Sequence, residues 1–576
     1  MRVAEIIKRQ WRSLSATGLV FGALFFAVSL TPSLIPRPFL LQAVLSGVAL
    51  AAGYGVGVFL RWLWGYLELP VPRERVQRIL KWPLAALSLG FAVAFLLHAS
   101  TWQDSVRVLM GMEPLEGIHL FGLGAAALLL FALLLALARL FRIIERWVAR
   151  KSGHVVPRRV ANVLGVLVAL LLFWALIDGL VTRAVFQTFE VSFQQLDALI
   201  EPEMAPPENA GMIGSDASLV DWDDLGRQGR RFVALGPSQQ DLEDFFAQPA
   251  MQPVRVYVGL NSAESIEERV SLALAEMKRT GAFERSVLVI ITPTGTGWVD
   301  PGAINSVEYL HRGDIASVAV QYSYLPSWLS LLAQPEYGAE TARELFQAVY
   351  RHWTELPSDQ RPRLYLQGLS LGALNSQRSV DIWDIVGDPV HGALWSGPPF
   401  RSGTWRWITQ HREPGTPAWL PRFRDGSVVR FSNQYTRPDR FDSQWGPLRI
   451  VYLQYASDPI TFFEPEALYR APEWMSEPRG PDVSPSLRWF PVVTLLQLGA
   501  DIAAADAAPI GYGHRYATEH YIDAWREVSN PPGWTDTGIE RLKSRIGDLP
   551  PGSGSLDVEA GQQFPASETI RDDALR

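Results

Sequence analysis

The spacing of apolar residues changes character near residue 185. Upstream, five long apolar runs occupy about 14–31, 40–64, 83–99, 119–140 and 160–182. A helix rises about 1.5 Å per residue, so runs near 20 residues match the hydrocarbon core of a bilayer. Stretches such as Leu128 to Leu137 have no polar face, which argues against a soluble bundle. A cleaved leader does not fit the first run, because four more hydrophobic segments follow it. The expectation is an all-α transmembrane domain of about five helices over residues 1–185.

Charge between the runs alternates. Arg2, Lys8, Arg9 and Arg12 precede the first, Arg73, Arg75, Arg78 and Lys81 follow the second, and Arg139 to Arg159 follow the fourth. The first and third connections hold little beyond Arg37 and Arg107, with Asp104, Glu113 and Glu116. Such alternation predicts a cytoplasmic N-terminus and, after an odd number of spans, an extracytoplasmic remainder, periplasmic in a cell with an outer membrane. Trp62, Trp64, Trp82, Trp102 and Trp147 near the run ends read as interfacial anchors. Asp178 reads as a snorkelling or helix-pairing group.

After a connecting segment at 186–230, the apolar blocks shorten and alternate with amphipathic ones. RFVALG (231–236), VRVYVGL (254–260), SVLVIIT (286–292), IASVAVQY (315–322), the run from Arg363, VHGALWS (390–396), SVVRFS (427–432) and LRIVYLQYA (448–456) read as strands. Ser265 to Thr280 and Gly338 to Trp353 read as helices, and amphipathic runs lie at 486–505 and 517–528. Alternation of strand and helix predicts a mainly parallel, doubly wound α/β sheet over 231–546. A Pro-, Trp- and Arg-rich stretch at 397–447 reads as a lid-like insertion, and 547–576 as a disordered tail.

Composition narrows the chemistry. The 576 residues carry a net charge of −7 with no basic excess, which leaves no electrostatic footprint for nucleic acid. There are no cysteines, which removes disulfides, Cys-ligated zinc and a Cys nucleophile. The nine histidines are scattered without an H-x-x-x-H pair, so neither a metal nor a cofactor is expected.

The apolar strand from Arg363 runs into the turn Gly368-Leu-Ser370-Leu-Gly372 and then the opening of a helix. A serine between strand end and helix start has its hydroxyl pushed out beside unpaired helix N–H groups, as a nucleophile requires. Serine needs a base and the base an orienting acid, in the chain order Ser, acid, His. Asp458, in Ser457-Asp458-Pro459 just past a strand, is the candidate acid; Asp439 and Asp442 are rivals without a preceding strand. Of the two histidines after the acid, His514, in the loop Gly511-Tyr-Gly-His514, is the expected base, because a loop histidine can reach both serine and acid; His520, within a predicted helix, is its rival. The Leu371 amide is the expected oxyanion donor, with a second from Gly295 or Thr296 in Thr292-Pro-Thr-Gly-Thr-Gly-Trp298.

These segments, with Gln321-Tyr-Ser-Tyr-Leu-Pro-Ser-Trp328 and Ser396-Gly-Pro-Pro-Phe400, resemble a bacterial family of membrane-tethered α/β-hydrolases, formerly a domain of unknown function. Ser29-Leu-Thr-Pro-Ser-Leu-Ile-Pro-Arg37 is similar to the first turn of that family's multi-span domain. The resemblance covers nearly the whole chain apart from the tail and implies the triad Ser370, Asp458 and His514; it supplies no substrate and no protein partner. The function expected is a serine hydrolase at the lipid bilayer acting on an acyl ester of a lipid or envelope molecule, by hydrolysis or acyl transfer. Alternatives are a peptidase or amidase on the same fold, and an inert envelope scaffold or transport accessory.

Overall fold

The computed structural model describes residues 14–547 except 71–73, 116–119, 153–156, 176–192, 202–203, 328, 331–335, 440, 442 and 477. Asp178, Trp328, Asp442, the basic residues Arg2 to Arg12, and 548–576 of the expected tail lie outside the described residues. The chain divides into two compact units, Met1–Thr188 with Ala456–His514, and Phe189–Tyr455 with Arg515–Arg576.

The first unit is helical: α1 Ala16–Ser29, α2 Phe39–Tyr66, α3 Glu74–Leu109, α4 Leu120–Ser152 and α5 Arg158–Trp174. The stretches Phe39–Tyr66, Trp82–Leu109 and Phe121–Ser152 are long and apolar enough to cross a membrane; α1 and the apolar part of α5 are shorter. Leu87, Phe121 and Leu129 are 71 %, 95 % and 75 % exposed, an outward apolar surface suited to lipid rather than water. The third run, the shortest in sequence, lies inside a 36-residue helix, because helix-compatible residues continue to Gly111 (φ 67°). For the same reason Arg139 to Lys151 ride on the last turns of α4 rather than in a loop. Trp62, Trp64, Trp82 and Trp147 are exposed, whereas Trp102 packs against the cluster of Leu30, Ala99 and Leu123.

The connection between α1 and α2 is buried, and the later segment of the same unit is bonded to it. On the helix Val493–Ala503, Asp501 accepts from Ser33 Oγ (2.6 Å) and Leu34 N (3.0 Å), and Gln497 Nε2 donates to Thr31 O (3.0 Å). Ser105, near the end of α3, shares a hydrogen bond with Ser484 (2.8 Å). Residues 456–514 therefore attach at the end of the helices formed by the α1–α2 connection and the C-terminus of α3.

The second unit holds a seven-stranded parallel sheet among the described residues: β1 Val254–Val258, β2 Val287–Thr292, β3 Ile315–Val320, β4 Arg363–Leu369, β5 Gly392–Ser396, β6 Val429–Ser432 and β7 Arg449–Leu453. Their order is β1-β3-β2-β4-β5-β7-β6, every neighbouring pair parallel. β2 is buried throughout, as a strand covered on both faces must be, and its apolar sequence reflects this. Register pairs Thr292 with Gly368, Leu369 with Ser396, and Ser396 with Leu453, so β2, β4, β5 and β7 finish along one edge.

One expectation changes. The stretch read as a strand at 231–236 is instead largely helical: α6 spans Gly226–Ala234. Its apolar residues Phe232 and Val233, with Gly229, fall on one helical face, and the Phe232 ring lies 5.9 Å from Tyr257 of β1; so short a run satisfies both periods. The stretch 397–447 holds the helix Gly403–Gln410 and edge strand β6, the latter within the SVVRFS run read as a strand. The crossover helices follow their signals: α7, Ile266–Arg279, opens on a Ser265–Glu268 capping box, α8 is Pro301–Leu310 and α9 is Tyr337–Glu355.

Candidate active site

Ser370 stands at the C-terminal end of the middle strand β4, immediately before α10, Leu371–Ser379. Its backbone has φ 56° and ψ −125°, a conformation that strains a residue with a Cβ by roughly 1–3 kcal/mol. Neighbours hold it there. Ser370 N–H donates to Ser396 O at the end of β5 (2.9 Å), and Ser370 O accepts from Leu374 N (3.1 Å). The flanking glycines permit the turn: a Cβ on Gly368 would stand 2.5 Å from the Gly372 carbonyl carbon, and one on Gly372 would collide with Thr292 O. Leu371 is the first helical residue, so its N–H has no acceptor within the helix.

The loop after β2 is a tight turn, with Thr294 N donating to Trp298 O (2.9 Å) and Gly297 N to Thr294 O (3.0 Å). Tyr257 Oη donates to Gly297 O (2.8 Å) and Gln321 Nε2 to Thr296 O (3.2 Å), bracing it from β1 and β3. Of the two oxyanion candidates here, Gly295 has its N–H donated to Ser327 Oγ (3.1 Å). The hydroxyls of Thr294 and Thr296 are buried and make no hydrogen bond among the described residues.

Asp458 and His514 meet in the helical unit. His514 Nδ1 donates to Asp458 Oδ2 at 2.7 Å, the carboxylate being fully buried. Asp458 Oδ1 accepts the amides of Ile460 (2.8 Å) and Thr461 (3.3 Å), and Oδ2 also accepts Thr461 Oγ1 (3.1 Å). Burial would lower the imidazole's pKa, but the Asp458 charge and hydrogen bond, aided by the charge of Asp506, outweigh it, and the net direction is up from 6.5. This pair can take a proton and hold the resulting imidazolium; the strained serine belongs to the other unit.

Two family models match, that of the alpha/beta-hydrolase family over residues 254–542 and that of the alpha/beta-hydrolase family N-terminus over residues 30–237. The chain belongs to the alpha/beta-hydrolase family. No curated protein and no solved structure matches it. The N-terminal family model begins at the buried α1–α2 connection, so this alpha/beta-hydrolase carries its helical region as part of the family pattern.

His520 has a different place in the hydrolase sheet unit. It lies in α11, Thr518–Ser529, with Nδ1 2.6 Å from Tyr455 Oη, and burial followed by the Lys543 charge lowers its pKa to about 4. Asp458 is the carboxylate on His514. Sequence reasoning missed the support beneath that pair. Asp482, fully buried, accepts from Ser457 Oγ (2.6 Å) and Ser457 N (3.1 Å), while Ser457 Oγ accepts from Gly513 N (2.9 Å). One serine thereby ties the residue before the acid to the residue before the histidine. Nothing in the sequence pairs positions 457, 482 and 513; adjacency to the two candidates was the one available signal.

Proposed function

We propose that this protein is a membrane-anchored serine hydrolase acting on acyl esters of lipid or envelope molecules. Ser370 Oγ attacks the acyl carbon as its proton passes to His514 Nε2, Nδ1 being engaged by Asp458, which fixes the tautomer and stabilises the imidazolium. The tetrahedral oxyanion takes the Leu371 N–H, with Thr296 as the second contributor because the Gly295 amide already serves Ser327. His514 returns the proton to the departing alcohol. Water, or an acceptor alcohol in a transacylase, then attacks the acyl-enzyme by the same route and regenerates Ser370.

The observation that carries this reading is the backbone of Ser370: a strained non-glycine residue at a strand-to-helix turn is what a nucleophilic serine at that position calls for. A fluorophosphonate probe on the full chain in native membranes tests it. Wild type should label and Ser370→Ala should not; equal labelling of the two would end the serine reading.

We also propose that the reaction takes place outside the cytoplasmic membrane. The dyad segment attaches on the side of the α1–α2 connection and the C-terminus of α3, opposite the basic start of α3 and the basic end of α4, which the positive-inside rule assigns to the cytoplasm. The chain has no cysteine, so a single Ser486→Cys at an exposed site of this segment reports directly. Reaction with a membrane-impermeant maleimide in intact cells is expected; reaction only after lysis would reverse the orientation.

A further inference from the structure

The α1–α2 connection is built more like an enzyme core than a membrane turn. Ser29, Thr31, Ser33 and Arg37 are buried, and the Arg37 side chain has no exposed surface. Its guanidinium donates to Ser29 O (3.2 Å) and Thr31 O (2.6 Å), so the connection curls around its own cation. Arg37 N–H donates to Gln103 Oε1 of α3 (3.1 Å). Asp501 enters this knot from the helix Val493–Ala503, bonded to Ser33 Oγ and Leu34 N, with Arg37 Nε 3.9 Å away. That helix leads into the His514 loop, and a Cβ on Gly513 would lie 3.4 Å from Ile35 Cγ2 of the same connection. Gly513 N in turn reaches Ser457, next to Asp458.

We propose that the α1–α2 connection, latched by Ser33 and Arg37 to Asp501, is the positioning element for His514. The helical region then does more than tether the enzyme: one of its turns sets the aim of the imidazole, and catalytic competence requires its native helix packing. This rests on the reading of His514 as the base, yet it assigns a role to residues that touch neither substrate nor serine.

The path runs from residue to residue. Arg37 and Gln103 fix the turn to α3; Ser33 and Leu34 hold Asp501 and Thr31 holds Gln497; Ile35 stands beside Gly513, whose N–H is bonded to Ser457, the neighbour of Asp458. Loosening the latch lets the imidazole drift from the carboxylate. That lowers the rate and also withdraws the Asp458 charge that raises the imidazole's pKa. Asp506, the other charge facing the ring, stays on the His514 loop itself.

The test uses the full chain in lipid nanodiscs, reading the fluorophosphonate labelling rate across pH. Ser33→Ala and Asp501→Asn should slow labelling by about tenfold to a hundredfold, the range for displaced catalytic groups, and move the pH midpoint down. Tyr54→Phe, which removes the Tyr54 bond to Ser15 N elsewhere in the helical unit, should leave the midpoint where it is. A merely structural latch would reduce the amount of active protein but leave the midpoint of the remainder unchanged. Should Asp501→Asn fail to fold, Ser33→Ala alone decides. A folded Ser33→Ala protein with wild-type rate and midpoint overturns the latch while leaving the serine reading intact; absence of Ser370 labelling in wild type overturns the serine reading itself.

Discussion

Asp458→Asn preserves the shape of the side chain while removing its charge, which makes it the sharpest probe of the proposed mechanism. Oδ1 is held by two backbone amides, from Ile460 and Thr461, so the asparagine oxygen must occupy that site. Its NH2 then faces His514 Nδ1, where a donor meets a donor unless the ring moves its proton to Nε2. An imidazole protonated there cannot accept the Ser370 proton. Loss of charge adds to this. With opposite charges about 4 Å apart at an effective dielectric near 20, the attraction is roughly 4 kcal/mol. That corresponds to about 10³ in rate if it is realised only as the imidazolium forms.

The pH profile gives a second, independent number. The base works neutral, so wild-type activity should rise through a midpoint above 6.5, the direction in which Asp458 and Asp506 together overcome burial. In the variant the largest raising influence is gone and the midpoint should fall. Hydrolysis of short-chain p-nitrophenyl esters from acid to mildly alkaline pH measures both. A variant within about tenfold of wild type, a loss under about 1.4 kcal/mol, with an unmoved midpoint would refute the dyad as drawn.

Other outcomes follow from the same geometry. Gly372→Ala drives a Cβ into Thr292 O and to 2.9 Å from Pro293 O, both backbone, so it should lower stability by about 1–3 kcal/mol in urea unfolding and abolish labelling by deforming the turn. His520→Gln should leave the labelling rate within about threefold of wild type, whereas His514→Ala should abolish it. His520 also predicts a stability trend. Its folded pKa of about 4 lies below the unfolded 6.5, so the unfolded chain takes up the proton first and stability drains as pH falls from 6.5 towards 4. The contribution is about 3 kcal/mol, and His520→Gln should flatten that part of the urea-unfolding profile.

Much of this architecture can be read from the order of residues, because it depends on local pattern. Apolar runs of bilayer length, short buried strands alternating with amphipathic helices, and Gly368-Leu-Ser370-Leu-Gly372 between a strand and a helix each report structure within a few residues of themselves. The same locality explains the errors. RFVALG satisfies both strand and helix periods, and packing on Tyr257 of β1 decided for the helix. The ends of the apolar runs understate α3 and α4, since a helix continues through polar residues until a breaker stops it.

What only the tertiary structure decided are the pairings across long stretches of chain. Chain order admits both His514 and His520, with the loop position favouring the former; a 2.7 Å bond to Asp458 for one and a Tyr455 hydroxyl for the other give them different partners. Asp482 beneath Ser457, and Asp501 against Ser33 and Arg37, carry no motif. Periodicity records which face of an element is buried, but a buried carboxylate is stabilised by whichever donors the fold delivers to it, and for Asp501 those donors lie more than 460 residues away along the chain.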